Sequence, residues 1–96
     1  LVENENIIKK LEQYLEYFKD KNISISIEGE SSRLLSYDNP VFYKDDTSII
    51  VDSVKKDNKF EVELSSIKNC TKDVCGGLQA VLIILNDNTY IQIYNK

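Results

Sequence analysis

The chain has 96 residues, 42% of them hydrophobic and 29% charged, with 12 basic and 16 acidic side chains giving a formal charge of −4. That length predicts one domain with one core, burying about 60 to 65% of the surface its unfolded form exposes, and the composition excludes the disordered and low-complexity classes. The lysines are scattered among acids instead of clustered, which argues against nucleic acid and anionic lipid as partners.

The longest apolar run, Ala80 to Leu85, is far short of the roughly 20 residues a membrane helix requires, so no direct insertion of this segment into a bilayer is expected. No signal peptide opens the chain, yet it begins at Leu1 and contains no methionine, which reads as a processed or excised piece.

Between Glu3 and Asp20 the apolar positions Ile7, Ile8, Leu11, Leu15 and Phe18, with Tyr14 beside them, recur at spacings of three and four. This predicts an amphipathic helix. Asn4 is the expected N-cap, Glu3 and Glu5 suit the positive end of the dipole, and Lys19 and Lys21 suit the negative end. In Asn22 to Glu28, Ile23, Ile25 and Ile27 alternate with polar residues, the period of a half-buried strand that Gly29 ends.

From Glu30 to Asp46 polar residues interrupt the apolar ones, and the expectation is a loop with a short edge strand around Val41 to Tyr43, because Pro40 cannot donate to a central ladder. Beyond it, "TSIIVDSV" and "KFEVELS" flank the polar turn Lys55 to Asn58 and predict a hairpin. Ser65 and Ser66 break the alternation before Ile67, which signals a bulge or bend. A second hairpin is expected where "LQAVLIIL" and "TYIQIY" flank Asn86 to Asn88, residues that tolerate left-handed backbone. The sum is α+β: an N-terminal amphipathic helix packed on an antiparallel sheet of four to five strands built from hairpins.

Both faces of the Leu78 to Leu85 strand are largely apolar: Gln79, Val81, Ile83 and Leu85 on one side, Leu78, Ala80, Leu82 and Ile84 on the other. The helix can cover one; the other needs sheet curvature, the Leu34 to Tyr43 segment or another chain. Tyr90 and Tyr94 share a face of the last strand with Gln92, opposite Ile91 and Ile93. That row is either a contact surface, since Tyr supplies amphipathic area at little entropic cost, or an ordinary set of strand formers on the wet side.

The two cysteines lie in "NCTKDVCGG". If a strand ends at Asn69 and the next begins from Gly76, Cys70 and Cys75 flank the loop Thr71 to Val74 and face each other across a hairpin neck. Opposed Cα atoms there lie about 4.5 to 5.5 Å apart, a span a disulfide accepts, and so short a loop would gain about 2 kcal/mol. Reduced cysteines in a cytosolic protein and a thiol-redox pair remain open alternatives. A metal site would be half a thiolate set in a chain without histidine, and no metal or cofactor is expected.

The absence of histidine also removes Ser-His-Asp and Cys-His arrangements. Lys44, Asp45, Asp46 and Asp87 could be posed as acid/base groups, but turn chemistry accounts for them better. "CGG" lacks the spacing of a phosphate loop and leads into a strand.

The run "FEVELSSIKNC...LQAVLIILNDNTYIQIYNK" resembles the second half of bacterial PH-like or GRAM-like domains. In those domains a strand ending in a bend leads to a hairpin with an acidic turn. The order of a helix first and a sheet after is similar to the soluble part of minor pilins and pseudopilins. Both resemblances imply binding or assembly without catalysis.

The expected function is therefore a non-catalytic protein-interaction or assembly module that presents a sheet surface, extracytoplasmic or at the cell surface. Its partner would be a protein or a second copy, met through Tyr90, Gln92, Tyr94, Leu78, Ala80 and Leu82. The alternatives are a thiol-redox or small accessory enzyme centred on Cys70 and Cys75, and a cytosolic PH-like binding domain.

Overall fold

Ile7, Leu11, Leu15 and Phe18 fall on one stripe of a helix, and that stripe is what the fold buries: Leu11 and Phe18 are fully inaccessible and Leu15 nearly so. The computed structural model describes residues 2–55, 57–75 and 77–95, and side-chain surroundings for residues 5–55, 57–74 and 77–95. Helix α1 spans Val2–Glu16. Asn4 therefore lies inside it and is not its N-cap, and Lys19 and Lys21 fall beyond its last turn. Past Glu16 the chain tightens, with Tyr17 N–H to Tyr14 O at 3.2 Å, Phe18 N–H to Leu15 O at 3.0 Å and Lys19 N–H to Glu16 O at 3.2 Å. These i to i−3 bonds satisfy carbonyls the helix end leaves open. They also turn Phe18 into the core, where its ring meets Tyr17 edge-on at 5.1 Å.

Antiparallel strands follow: β1 Ile23–Glu28, β2 Ser32–Tyr37, β3 Val41–Lys44, β4 Ser48–Asp52, β5 Phe60–Glu63, β6 Ile67–Cys75, β7 Leu78–Leu85 and β8 Tyr90–Asn95. They form a five-stranded sheet of order β2-β1-β8-β7-β6 and a three-stranded sheet of order β3-β4-β5. The fold is α+β, an N-terminal helix on antiparallel sheets, with more strands than the periodicity alone resolves. Strand β2, inside the stretch expected to be a loop, pairs along its whole length with β1.

The inward side chains of β1, β8 and β7, Ile23, Ile25, Ile91, Ile93, Val81 and Ile83, form one cluster. Leu11, Leu15 and Phe18 of the helix segment join it, as do Ile49, Val51 and Val62 of the smaller sheet. Full burial of each such side chain stabilises by about 1.5 to 3 kcal/mol, so this shared cluster is what joins helix and sheets.

Leu64–Ser66 form a short 3-10 turn, and the β6–β7 register shifts between Ile67 and Asn69. The bend expected at Ser65 and Ser66 is there, and the extra residue, Lys68, switches the inward parity of β6. Ile67 before it and Cys70 after it are both buried. The Cys70 thiol reaches Ile7 O at 3.5 Å, pinning α1 against β6.

Tyr37 ends β2 with 3% of its surface exposed, and its hydroxyl has no hydrogen-bond partner among the described residues. Burial first, and the Asp52 carboxylate second, raise its pKa above 10.0. A phenol that holds its proton more tightly folded than unfolded adds stability below the unfolded pKa, and that stability is lost as pH rises through the folded pKa. Tyr37→Phe is expected to raise stability at neutral pH by about 1 kcal/mol, since it removes an unsatisfied buried hydroxyl. It is also expected to flatten the fall in stability above about pH 10. Urea melts at pH 7 and pH 10.5 check both; equal losses in the two proteins would refute the linkage.

Candidate functional site

Strand register decides which side chains share a surface, because directly opposed residues of antiparallel strands lie on the same face. Gln92 opposes Ser26 on one side and Leu82 on the other, and these continue to Leu34 on β2 and Thr71 on β6. The flanking lines are Ser36, Ser24, Tyr94, Ala80 and Asp73, and Ser32, Glu28, Tyr90, Ile84 and Asn69. All six residues expected to contact a partner thus fall on the outer face of the five-stranded sheet, opposite the core.

Their exposure differs. Tyr90 is 47% and Leu78 46% accessible, and Leu34, on the edge strand β2, 66%. Gln92, Tyr94 and Leu82 are half-buried by their cross-strand neighbours. Ala80 is fully buried; it flattens the face and offers no contact of its own.

The cysteine pairing is corrected by the register. Strand β6 runs unbroken from Ile67 to Cys75, Cys70 opposes Ile83, and Cys75 opposes Leu78. The two residues are five apart on one strand, about 16 Å at 3.3 Å per residue, far beyond the about 7 Å Cα limit for a disulfide. The tight turn lies after Cys75, at the positive-φ Gly77, and Thr71 to Val74 is strand and not loop. Cys70 is a free, buried thiol, and burial pushes its pKa up. Because the thiolate is the nucleophile, this gives the redox alternative no support, and the disulfide ceases to argue for an oxidising compartment.

Of the acids posed as acid/base groups, Asp45 and Asp87 serve turns. Asp45 Oδ1 accepts from Ser48 N–H at 2.7 Å, Thr47 N–H at 2.9 Å and Thr47 Oγ1 at 3.2 Å, and these bonds lower its pKa. Asp87 accepts from Thr89 N–H at 3.0 Å, and hydrogen bonds from Thr89 lower its pKa likewise. Among the described residues no group of three or more His, Cys, Asp or Glu is placed to hold a metal ion. No described helix is long and apolar enough to cross a membrane.

A second feature went unseen in the sequence: a cleft of about 450 Å³ between the end of α1 and β3. Leu15, Glu12 and Glu16 line one wall, and Asp20 and Lys19 the turn that follows. Val41, Phe42, Tyr43 and Lys44 line the other wall, with Ile49 and Val54. Lys44 Nζ lies 4.0 Å from Glu12 Oε1, with both side chains nearly half exposed, a pairing worth little in water. Its lining comes from three separated segments, so no contiguous motif could have announced it.

No protein-family model matches the chain, and no curated protein matches it in sequence. Among solved structures it is similar to the pleckstrin homology (PH) domain of USP37, at 15% sequence identity and a TM-score of 0.46. The match covers 77% of this chain and 79% of that one. The likeness falls in the class that the C-terminal strand pattern resembles. A match at that identity and score carries no function across.

Proposed function

We propose that this chain is a non-catalytic protein-interaction module that works through the outer face of its five-stranded sheet, and that the partner this face fits is a second copy of the chain. The observation that carries the reading is the composition of the face in register. Leu34, Leu82, Ile84, Leu78, Tyr90 and Tyr94 share it with the hydrogen-bonding Ser24, Ser26 and Gln92. Glu28 and Asp73 are its only charged members among the described residues, in a chain with 29% charged residues. Loss of charge and enrichment in tyrosine are the marks of an interface centre.

A face that mixes apolar, hydroxyl and amide groups with almost no charge can meet itself about a two-fold axis. The rest of an acidic chain would repel a copy in any other orientation. Five strands at about 4.8 Å and six residues at about 3.4 Å give a footprint of about 24 by 20 Å. That is at the small end of specific interfaces and predicts weak association.

Light scattering from about 10 µM to about 1 mM is expected to show mass rising from monomer towards dimer with a micromolar Kd. Tyr90→Ala and Tyr94→Ala together are expected to weaken it about tenfold or more, since buried tyrosines carry a large share of such interfaces. A strict monomer at about 1 mM, or association untouched by the two substitutions, would overturn the reading.

A further inference from the structure

The cleft beside β3 combines two kinds of recognition chemistry. Strand β3 is an edge: among the described residues it pairs with β4 alone. The hairpin closes with Asp45 N–H to Ser48 O at 3.0 Å, in the register that pairs Tyr43 with Ile50 and Val41 with Asp52. Because hydrogen-bonding direction alternates along a strand, Val41, Tyr43 and Asp45 spend their main-chain groups on β4. Phe42 and Lys44 point theirs away from β4, along the strand edge that borders the cleft.

An open edge of this kind is a template for another extended chain. The cleft floor supplies apolar surface from Leu15, Phe42 and Val54, and Val54 is 63% exposed. Four residues of added strand, about 13 Å at 3.3 Å each, match the length of Val41–Lys44.

The far wall sets the charge. Glu12, Glu16 and Asp20 recur every four residues along it, and Glu16 and Asp20 make no ion pair among the described residues. Lys44 is the one base opposite, shared with Glu12, and Lys19 lies on the turn.

We infer that this cleft binds an extended peptide of alternating apolar and basic residues, added as a strand to the outer edge of β3 with its basic side chains against Glu12, Glu16 and Asp20. This site is separate from the outer face of the large sheet and does not rest on self-association there.

The test uses a fluorescein-labelled hexapeptide of alternating valine and arginine, its valine–glutamate counterpart, and fluorescence anisotropy on the chain and on its Tyr90→Ala/Tyr94→Ala variant, whose substitutions lie outside the cleft and weaken association through the outer face. The arginine peptide is expected to saturate below about 1 mM. The glutamate peptide is expected to bind at least about tenfold more weakly, as is the arginine peptide to Glu12→Gln/Glu16→Gln. At saturation, amide hydrogen exchange is expected to slow at Phe42 and Lys44. Absence of saturation, equal affinity for the two peptides, or unchanged exchange at both amides would each overturn the inference, and the exchange readout needs no variant that has to fold.

Discussion

Phe18→Ala is expected to cost about 3 to 5 kcal/mol, about a fifth or more of the about 5 to 14 kcal/mol that a chain of this length has in total. Phe18 is fully buried yet lies beyond the end of α1, in the run of i to i−3 bonds that closes the helix. It is the plug at the point where chain leaves helix for sheet. Truncation loses the transfer free energy of the ring and the edge-on contact with Tyr17 at 5.1 Å, and leaves a void that helix and sheets cannot jointly collapse into. The melting temperature is expected to fall by about 15 °C or more, measured by circular dichroism. A drop of less than about 4 °C, the shift of about 1 kcal/mol, would show that the aromatic contact is dispensable and that the core repacks.

Asp52→Ala is the second large effect, about 2 to 3 kcal/mol. Asp52 is 2% exposed at the end of β4, a strand buried at every position. Its Oδ1 accepts from Ser53 N–H at 2.8 Å and Asn58 N–H at 3.3 Å. The carboxylate thus organises the turn towards β5 as well as sitting near Tyr37. Alanine leaves both main-chain donors unpaired, and such losses to a charged acceptor cost about 1 to 3 kcal/mol each. Asparagine keeps an oxygen in place and is expected to lose less than half as much. Because the Asp52 charge is the second cause holding the Tyr37 pKa up, either substitution is also expected to lower that pKa, while burial, the first cause, keeps it above the ordinary value. Denaturant melts of the two variants and NMR titration of the Tyr37 ring check the pair. Equal costs for alanine and asparagine would mean that packing, and not the acceptor, is what matters at this site.

Side chains that are inward on one regular element were legible in the sequence. Ile7, Leu11, Leu15 and Phe18 at helical spacing, Ile23 and Ile25 at strand spacing, and Val62 between acids each declare a face because one side of their element is dry. The bend at Ser65 and Ser66 and the reversal at Asn86 to Asn88 declared themselves through turn chemistry. Strand β2 did not, because Leu34 points outward at 66% exposure while Tyr37 is buried, and an edge strand earns its place by pairing with β1, which leaves no periodic trace.

The cysteines misled for a related reason. In the sequence Gly76 and Gly77 look like the entry to a strand, whereas Gly77 is part of the reversal; moving that turn a few residues converts a loop of Thr71 to Val74 into ladder. Of the candidate surfaces, the Tyr90, Gln92, Tyr94 row was readable because one strand carries it. The β3 cleft was not, because Glu12 and Lys44, or Leu15 and Phe42, come to line one cleft only after the chain has closed on itself.

The single surplus residue at Lys68 has a consequence for how this chain can change. Ile67 and Asn69 already pair with consecutive residues of β7, Leu85 and Ile84, so Lys68 is housed as a bulge and not as a rung of the ladder. Deleting it would leave Ile67, Asn69 and Cys70 in plain alternation, with every later side chain keeping its partner and its face, whereas deleting Asn69 or Cys70 itself would remove a paired residue. Loss of a residue from this strand is therefore expected to be absorbed at Lys68 first, and substitutions there should pass almost unnoticed.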